Sequence, residues 1–241
     1  MPKFPATLFA NGCSMCYGSQ LFEDPITKLC FDNHSRFKAS WPGIFGKQFG
    51  FKRIVNLGYP GSSNDRIVRT TISWILENWL LRSLPTDSLF VIIGWSGPMR
   101  REFYIGEEWR QLIPYHDYED PEASLFNRIY REVAWNEYES AIRFSTQLIS
   151  LQSFLKFHNI PYLFFDAITP IKDLFNLFPS ALNGYLSQID KNRYFNFLEE
   201  NGDMASALNC SSANSCNNER THPNIEGHTS WAQKLVDFTK N

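Results

Sequence analysis

Three residues of this 241-residue chain carry side chains that could act together in nucleophilic catalysis. Ser14 follows a short apolar run and is flanked by Gly12 and Gly18, so its hydroxyl is expected on a tight turn where a base can activate it. His222 stands directly before an expected helix, a position that suits a general base. Glu219 lies three residues earlier and could orient the imidazole. Each residue alone is weak evidence, because turn serines and capping or surface histidines are commoner than catalytic ones.

The elements that must position these residues alternate between strands and helices. Short apolar runs predict strands over residues 5–12, 53–57, 89–93 and 161–165. Helical spacing or capping signals predict helices over residues 40–49, 63–84, 131–158 and from 224 onward, with helical pieces over 171–200. This alternation predicts an α/β fold with a doubly wound, mostly parallel sheet and helices on both faces.

Small-residue turns follow three of the predicted strands, at residues 12–14, 58–61 and 94–96. Sites in doubly wound sheets form beyond the carboxyl ends of the strands. We therefore expect these three turns to meet at one edge of the sheet.

The sequence shows no internal repeat and no linker, so a single domain spanning residues 1–241 is expected. Residues 97–130 mix aromatic and charged side chains without a regular period and are predicted to be an irregular insertion near the site. Residues 16–39 and 201–220 are predicted to be loops.

The charge and hydropathy of the chain argue against several partners. The net charge is −2 without a basic run, which disfavours nucleic-acid binding. No apolar stretch approaches the roughly 20 residues that span a membrane, and the first residues do not resemble a signal peptide. We expect a soluble protein made in the cytoplasm, with a phage-encoded or virion-associated protein as the alternative, and we expect no cofactor or metal.

The five cysteines are an odd number, which argues against a complete disulfide framework. Cys13 and Cys16 form a CxxC pair without a second Cys/His pair at metal-ligand spacing, so small buried thiols are expected and a thiol-based enzyme is disfavoured. Cys210 and Cys216 fall in the polar loop and are expected to be free.

Taken in order, the motifs resemble the SGNH (GDSL-like) hydrolase family, nearly end to end. The matching segments are NGCS at residues 11–14, WP at 41–42, NLGYPG at 56–61, GWS at 94–96 and ERTHP at 219–223. The resemblance implies a Ser14 nucleophile, a His222 base and a Glu219 orienter. It also implies an oxyanion hole made by the N–H groups of Ser14 and Gly61 and, as third arm, Ser96. The implied activity is metal-free hydrolysis of small acyl esters, such as acetyl groups on a carbohydrate.

Three positions depart from the family pattern, which has Asp, Asn and Asp where this chain has Cys13, Ser96 and Glu219. Asp203 is an alternative orienter, and a Ser–His pair without an acid is another. The alternative function is a binding or structural module with weakened catalysis, such as a virion component that holds a host glycan.

Trp95, inside the GWS segment, and Arg100 and Arg101, just after it, are predicted to contact the substrate. The arginines would bind an anionic or polar group, and the insertion would form a wall or lid over the cleft. The alternative is a solvated, charged loop. The expected partner is thus a small-molecule or glycan ester.

Overall fold

The computed structural model describes residues 6–24, 26–27, 29–114, 116, 118–208 and 222–240. Its main sheet is parallel, with four strands in the order β2-β1-β3-β6, and a separate antiparallel hairpin pairs β4 with β5. The strands are β1 (Thr7–Gly12), β2 (Arg53–Asn56), β3 (Leu89–Trp95), β4 (Arg101–Ile105), β5 (Glu108–Leu112) and β6 (Tyr162–Asp166).

Helices precede, connect and follow these strands. In chain order they are α1 (Ser14–Tyr17), α2 (Asn33–Ala39), α3 (Trp41–Phe49), α4 (Asn64–Ile75), α5 (Pro121–Ile129), α6 (Glu137–Phe157), α7 (Ile171–Leu177), α8 (Pro179–Leu186), α9 (Met204–Ala207) and α10 (Ile225–Lys240). Among the described residues, no helix is long and apolar enough to span a bilayer.

Two apolar clusters cover the two faces of the main sheet, because successive strand side chains point to opposite sides. Phe9, Ile93 and Phe164 face a cluster completed by helices such as α4 and α6. Leu8 and Phe165 face a second cluster completed by α3 and α10. Every residue of β1, β3 and β6 is buried, which explains why these strands read as continuous apolar runs. The predicted doubly wound α/β fold is confirmed.

Local capping explains several helix boundaries. The Ser63 side chain accepts a hydrogen bond from the Arg66 N–H at the start of α4, as a helix cap does. The Asn136 side chain caps α6 by accepting from the Glu139 N–H, so α6 begins at Glu137 and not at residue 131 as predicted. Residues 130–134 form a π-helical turn at the end of α5 instead.

Three segments that were predicted to be loops or irregular contain regular structure. The 97–130 segment holds β4, β5 and α5, residues 16–39 hold α2 and the end of α1, and residues 201–220 hold α9. The hairpin was missed because β4 buries a charged residue, Glu102, which breaks the apolar alternation on which the prediction depends.

Candidate active site

Ser14 is the first residue of α1 and comes two residues after the end of β1. Its backbone N–H has no partner within the helix, because the first four N–H groups of a helix lack one. The residue is 7% exposed, at the carboxyl edge of the sheet. Its carbonyl accepts hydrogen bonds from the N–H groups of Gly18 and Ser19, which close the short turn behind it.

The loop that follows β2 packs directly against this turn. The Asn56 side chain donates to the Cys16 carbonyl over 2.8 Å and accepts from the Gly58 N–H over 2.9 Å. A Cβ at Gly58 would lie 2.7 Å from the Tyr17 nitrogen, so only glycine allows this approach. Gly61 has φ +76°, a left-handed conformation that favours glycine. The NLGYPG segment therefore reaches the same edge as Ser14.

Ser96 follows β3, which pairs with β1 so that Gly94 lies opposite Gly12. The Asn64 amide holds the Ser96 backbone from both sides: it accepts from the Ser96 N–H over 2.8 Å and donates to the Ser96 carbonyl over 3.0 Å. Since this N–H is already bonded, any donor that Ser96 offers to a substrate is its side chain, which is itself buried.

His222 is anchored at the same side of the molecule as α1. Its N–H donates to the Gln20 side chain over 3.2 Å, in the loop that leaves α1. Burial, with a smaller effect of the Arg100 charge, lowers the pKa of His222 to about 4. The imidazole is therefore neutral at pH 7 and able to accept a proton.

His228, in the first turns of α10, fixes the segment that carries His222. Its Nδ1 accepts a hydrogen bond from the Trp41 N–H over 3.2 Å, at the start of α3. Burial, together with the nearby His222, lowers the pKa of His228 to about 3. His228 is thus a buried, neutral imidazole that ties α10 to α3.

Arg100 links the end of β3 to His222 and to the insertion. Its Nη1 donates to the Ser96 Oγ over 3.2 Å. Its charge acts on His222, as stated, and also opposes the rise that burial causes in the pKa of Tyr118. The structure therefore places Arg100 beside Ser96 and close to His222. Its contact with a substrate stays a prediction.

Two other residues predicted to contact the substrate lie elsewhere. Trp95 is 1% exposed, and its ring packs between Phe144 and Phe164 with centroid distances of 5.5 and 5.2 Å. Trp95 is therefore a core residue, because it shares a face with the alternating apolar residues of β3. Arg101 pairs with Glu139 over 2.9 Å and with Asp65 over 3.7 Å, so its guanidinium binds α6 and α4.

The acid of the predicted catalytic set, Glu219, lies outside the described residues, as do Cys210 and Cys216. The alternative acid, Asp203, is fully buried and caps α9 by accepting from the Ser206 N–H over 2.9 Å. Cys13 and Cys16 are buried free thiols, as expected, and burial raises the pKa of Cys16 well above its ordinary value. A thiol held protonated in this way is a poor nucleophile.

Sequence reasoning missed the residues that position the site. Asn64, Gln20 and His228 hold Ser96, His222 and α10 through side-chain contacts with backbone groups. The polar SSND segment at 62–65 contained a signal for Asn64, but its partner lies 32 residues away. Among the described residues, no group of His, Cys, Asp and Glu side chains is arranged to hold a metal ion.

Comparison with known proteins agrees with this fold. The sequence profile of a family of unknown function (DUF6071) matches residues 23–239. The esterase EstA from Pseudoalteromonas sp., solved with monoethylphosphonate as inhibitor, is similar with a TM-score of 0.53 and 13% identity over 98% of this chain and 97% of that one. TesA is similar with a TM-score of 0.53 and 12% identity, covering 97% and 98% of the two chains.

A lipolytic protein of the G-D-S-L family from Desulfitobacterium hafniense DCB-2 is similar with a TM-score of 0.51 and 14% identity, covering 97% of this chain and 99% of that one. No curated protein matches the sequence. At these identities the likeness establishes the fold, which is that of the SGNH/GDSL hydrolases.

Proposed function

The chain belongs to the DUF6071 family of unknown function, and we propose that it is a serine esterase that hydrolyses small acyl esters. One observation carries the proposal. The turn bearing Ser14, the loop bearing Gly61 and the residue after β3 all reach one sheet edge, and Gln20, just after α1, holds His222 by its backbone. This is where a doubly wound sheet places its site.

In the proposed reaction the Ser14 Oγ attacks the ester carbonyl while His222 takes the hydroxyl proton. The tetrahedral oxyanion accepts hydrogen bonds from the N–H groups of Ser14 and Gly61, with the Ser96 side chain as third arm. The carbon–oxygen bond to the alcohol then breaks, and His222 returns the proton to the leaving alcohol. A water molecule, deprotonated by His222, then attacks the acyl carbon. The bond from that carbon to Ser14 Oγ breaks, His222 returns the proton to Ser14 Oγ, and the acid leaves.

Glu219 remains our proposed orienter of His222. A carboxylate that accepts from the other ring nitrogen would fix the tautomer and stabilise the imidazolium as it forms. Asp203 is a weaker candidate, because one of its oxygens is engaged in capping α9.

The test is hydrolysis of p-nitrophenyl acetate, p-nitrophenyl butyrate and acetylated xylo-oligosaccharides by the wild type and by Ser14→Ala and His222→Ala. Both variants should fall to background, a loss of at least about a thousand-fold in kcat, as is typical for removal of one member of such a set. Ser187→Ala and His34→Ala, at exposed positions, are the matched controls and should keep wild-type rates. Wild-type rates no faster than those of Ser14→Ala on all three substrates would refute the proposal.

A second candidate is a binding module that has kept the fold with weakened catalysis, for example one that holds a glycan. The observation in its favour is the guanidinium of Arg100 beside His222, because a nearby cation disfavours the imidazolium that catalysis requires. A glycan array with Ser14→Ala and the wild type would support this candidate if both bound the same glycan and neither hydrolysed it.

A further inference from the structure

We propose that Arg100 forms a carboxylate-binding subsite of the esterase site, so that the preferred ester carries a carboxylate close to the bond that is cleaved. The inference rests on the proposed function, since it names the substrate class of that same site. A guanidinium can bind a carboxylate through two parallel N–H groups, which gives both orientation and affinity.

The backbone that carries Arg100 is fixed by side chains from two helical segments. The Tyr130 hydroxyl donates to the Met99 carbonyl over 2.9 Å, and the Arg143 guanidinium donates to the Pro98 carbonyl over 2.7 Å. The Arg100 N–H donates to the Gly97 carbonyl over 3.2 Å and closes the turn. Arg100 therefore extends from a rigid support, as a binding residue should.

The Arg100 guanidinium is itself held at one end only. Nη1 donates to Ser96 Oγ, a neutral acceptor on a residue whose backbone is clamped by Asn64. A neutral hydroxyl orients the guanidinium but leaves its charge in place. The remaining N–H groups are free to meet a ligand, because no other hydrogen bond from this side chain occurs among the described residues.

The carboxylates that lie nearest to this segment are already paired with other arginines. Asp65 and Glu139 both contact Arg101 and Arg143, and Glu102 forms a two-bond pair with Arg69. Within the described ranges, no carboxylate lies within ion-pair distance of Arg100. Arg100 is thus a half-buried cation in the candidate active site whose charge no described carboxylate neutralises, which suits it to bind an anionic ligand.

Arg100 also lies close to ionisable groups on two other segments of the chain. It is close enough to His222 and to Tyr118 for its charge to act on both. The Tyr118 hydroxyl accepts from the Ile113 N–H over 2.9 Å, and Ile113 Cδ1 lies 3.6 Å from where a Gly61 Cβ would be. A carboxylate bound to Arg100 would thus lie near His222 and beside the Ser96 side chain, the proposed third arm of the oxyanion hole.

This location gives the carboxylate an effect on the chemistry as well as on binding. A substrate carboxylate would offset the Arg100 charge that disfavours protonation of His222. Arg100 would then disfavour the hydrolysis of neutral esters and favour the hydrolysis of esters that carry a carboxylate.

The kinetic test compares mono-4-nitrophenyl glutarate with 4-nitrophenyl methyl glutarate, in which one added methyl group removes the negative charge. A third substrate, 3-acetoxybenzoate, places the carboxylate on the alcohol side. The neutral counterpart of 3-acetoxybenzoate is methyl 3-acetoxybenzoate. For at least one of the two pairs, the wild-type kcat/KM should be about ten-fold or more higher on the carboxylate ester than on the neutral ester. Arg100→Gln should reduce this ratio at least about five-fold, and Arg100→Lys should reduce it less. Arg82→Gln, at an exposed arginine, should leave it unchanged.

Binding to the inactive Ser14→Ala protein separates this inference from the proposed function. Glutarate and benzoate should bind to Ser14→Ala in calorimetric or NMR titrations, and Ser14→Ala/Arg100→Gln should lose that binding. If Arg100→Gln abolishes this binding but the wild type shows no Ser14-dependent hydrolysis, the carboxylate-binding subsite is supported and the proposed esterase function is refuted.

Two results would overturn the inference. In the first, the wild type shows no preference for either carboxylate ester. In the second, Arg100→Gln lowers the rates on charged and neutral esters by the same factor, which would make Arg100 an oxyanion donor or a structural residue.

Discussion

At the scale of single residues, the site depends on asparagines that hydrogen-bond to backbone groups of the turns after the strands. Asn11 donates to the Ile67 carbonyl of α4, Asn56 donates to the Cys16 carbonyl of α1, and Asn64 donates to the Ser96 carbonyl after β3. These bonds fix the three turns relative to one another. The sequence predicted that the turns converge, but it could not show which side chains hold them, because each partner is distant in sequence or hidden in the fold.

Asn64→Ala should be the most damaging change among these positioning residues. It leaves the N–H and the carbonyl of Ser96 buried without partners, which we expect to cost about 3 kcal/mol of stability. Urea unfolding measures this loss in the free energy of unfolding, and the esterase activity of Asn64→Ala should also be lower than that of the wild type. Asn78→Ala is the control, since the side-chain hydrogen bond that Asn78 makes among the described residues is a local one, to the Trp74 carbonyl four residues earlier. A loss below about 1 kcal/mol would show that Asn64 does not position Ser96.

The pH dependence of kcat/KM should report the lowered pKa of His222. Because the imidazole is neutral above about pH 4, activity should persist well below the ordinary histidine value of 6.5. Arg100→Gln removes one cause of the lowering, so its inflection should move to higher pH. Circular dichroism at each pH controls for unfolding. A wild-type inflection at or above 6.5 would contradict this account.

At the scale of elements, the β4–β5 hairpin is attached to α4 through Glu102. The Glu102 carboxylate, with its side chain 1% exposed, accepts from Arg69 over 2.7 and 2.8 Å and from Gln111 over 2.6 Å. Gln111 in turn accepts from the Ser63 N–H over 2.9 Å, beside the Gly61 loop. The hairpin is thus fixed beside the Gly61 loop, where we predict that it forms a wall of the cleft.

Glu102→Ala should loosen this wall. The change leaves Arg69 and Gln111 without their shared acceptor, and we expect a loss of about 3 kcal/mol, in the range of broken buried ion pairs. Hydrogen exchange should then rise across both hairpin strands. Glu108→Ala, at an exposed end of the same hairpin, should change stability by less than about 0.5 kcal/mol. Unchanged exchange in Glu102→Ala would show that other contacts hold the hairpin.

The elements of the main sheet could be predicted because their burial is simple. β1, β3 and β6 are buried on both faces and therefore appear as apolar runs, and α4 and α10 each have a clear apolar face. The prediction that Trp95 contacts the substrate was wrong. Trp95 follows Val91 and Ile93 at a spacing of two, and this alternation already indicates the face of β3 that packs in the core. The hairpin was not predictable in this way, because ion pairs rather than apolar contacts attach it to α4.

At the scale of the whole molecule, a buried carboxyl group couples stability to pH. Asp166 ends β6, and its carboxyl accepts from the Tyr194 hydroxyl and from the Ile171 N–H. Burial outweighs these bonds and raises the pKa of Asp166 from 3.8 to about 7. The folded state therefore holds a proton that the unfolded chain has lost between these two values, and stability from this group falls as the pH rises through that window.

Asp166→Asn should remove this dependence. The free energy of unfolding of the variant, relative to the wild type, should increase between about pH 4 and pH 7, by up to about 4 kcal/mol. The difference between the two proteins cancels the opposite contribution of His228, whose lowered pKa makes the chain less stable as the pH falls below 6.5. A constant difference across the window would show that Asp166 is ionised in the folded protein.

Our central claim is that Ser14 is a nucleophile activated by His222, and covalent trapping tests it most directly. A fluorophosphonate should phosphonylate the wild type once, with loss of fluoride, and peptide mass spectrometry should place the adduct on Ser14. Ser14→Ala should not react, His222→Ala should react at least about a hundred-fold more slowly, and Ser187→Ala should react like the wild type. No adduct on the folded wild type, or an adduct that survives in Ser14→Ala, would contradict the account.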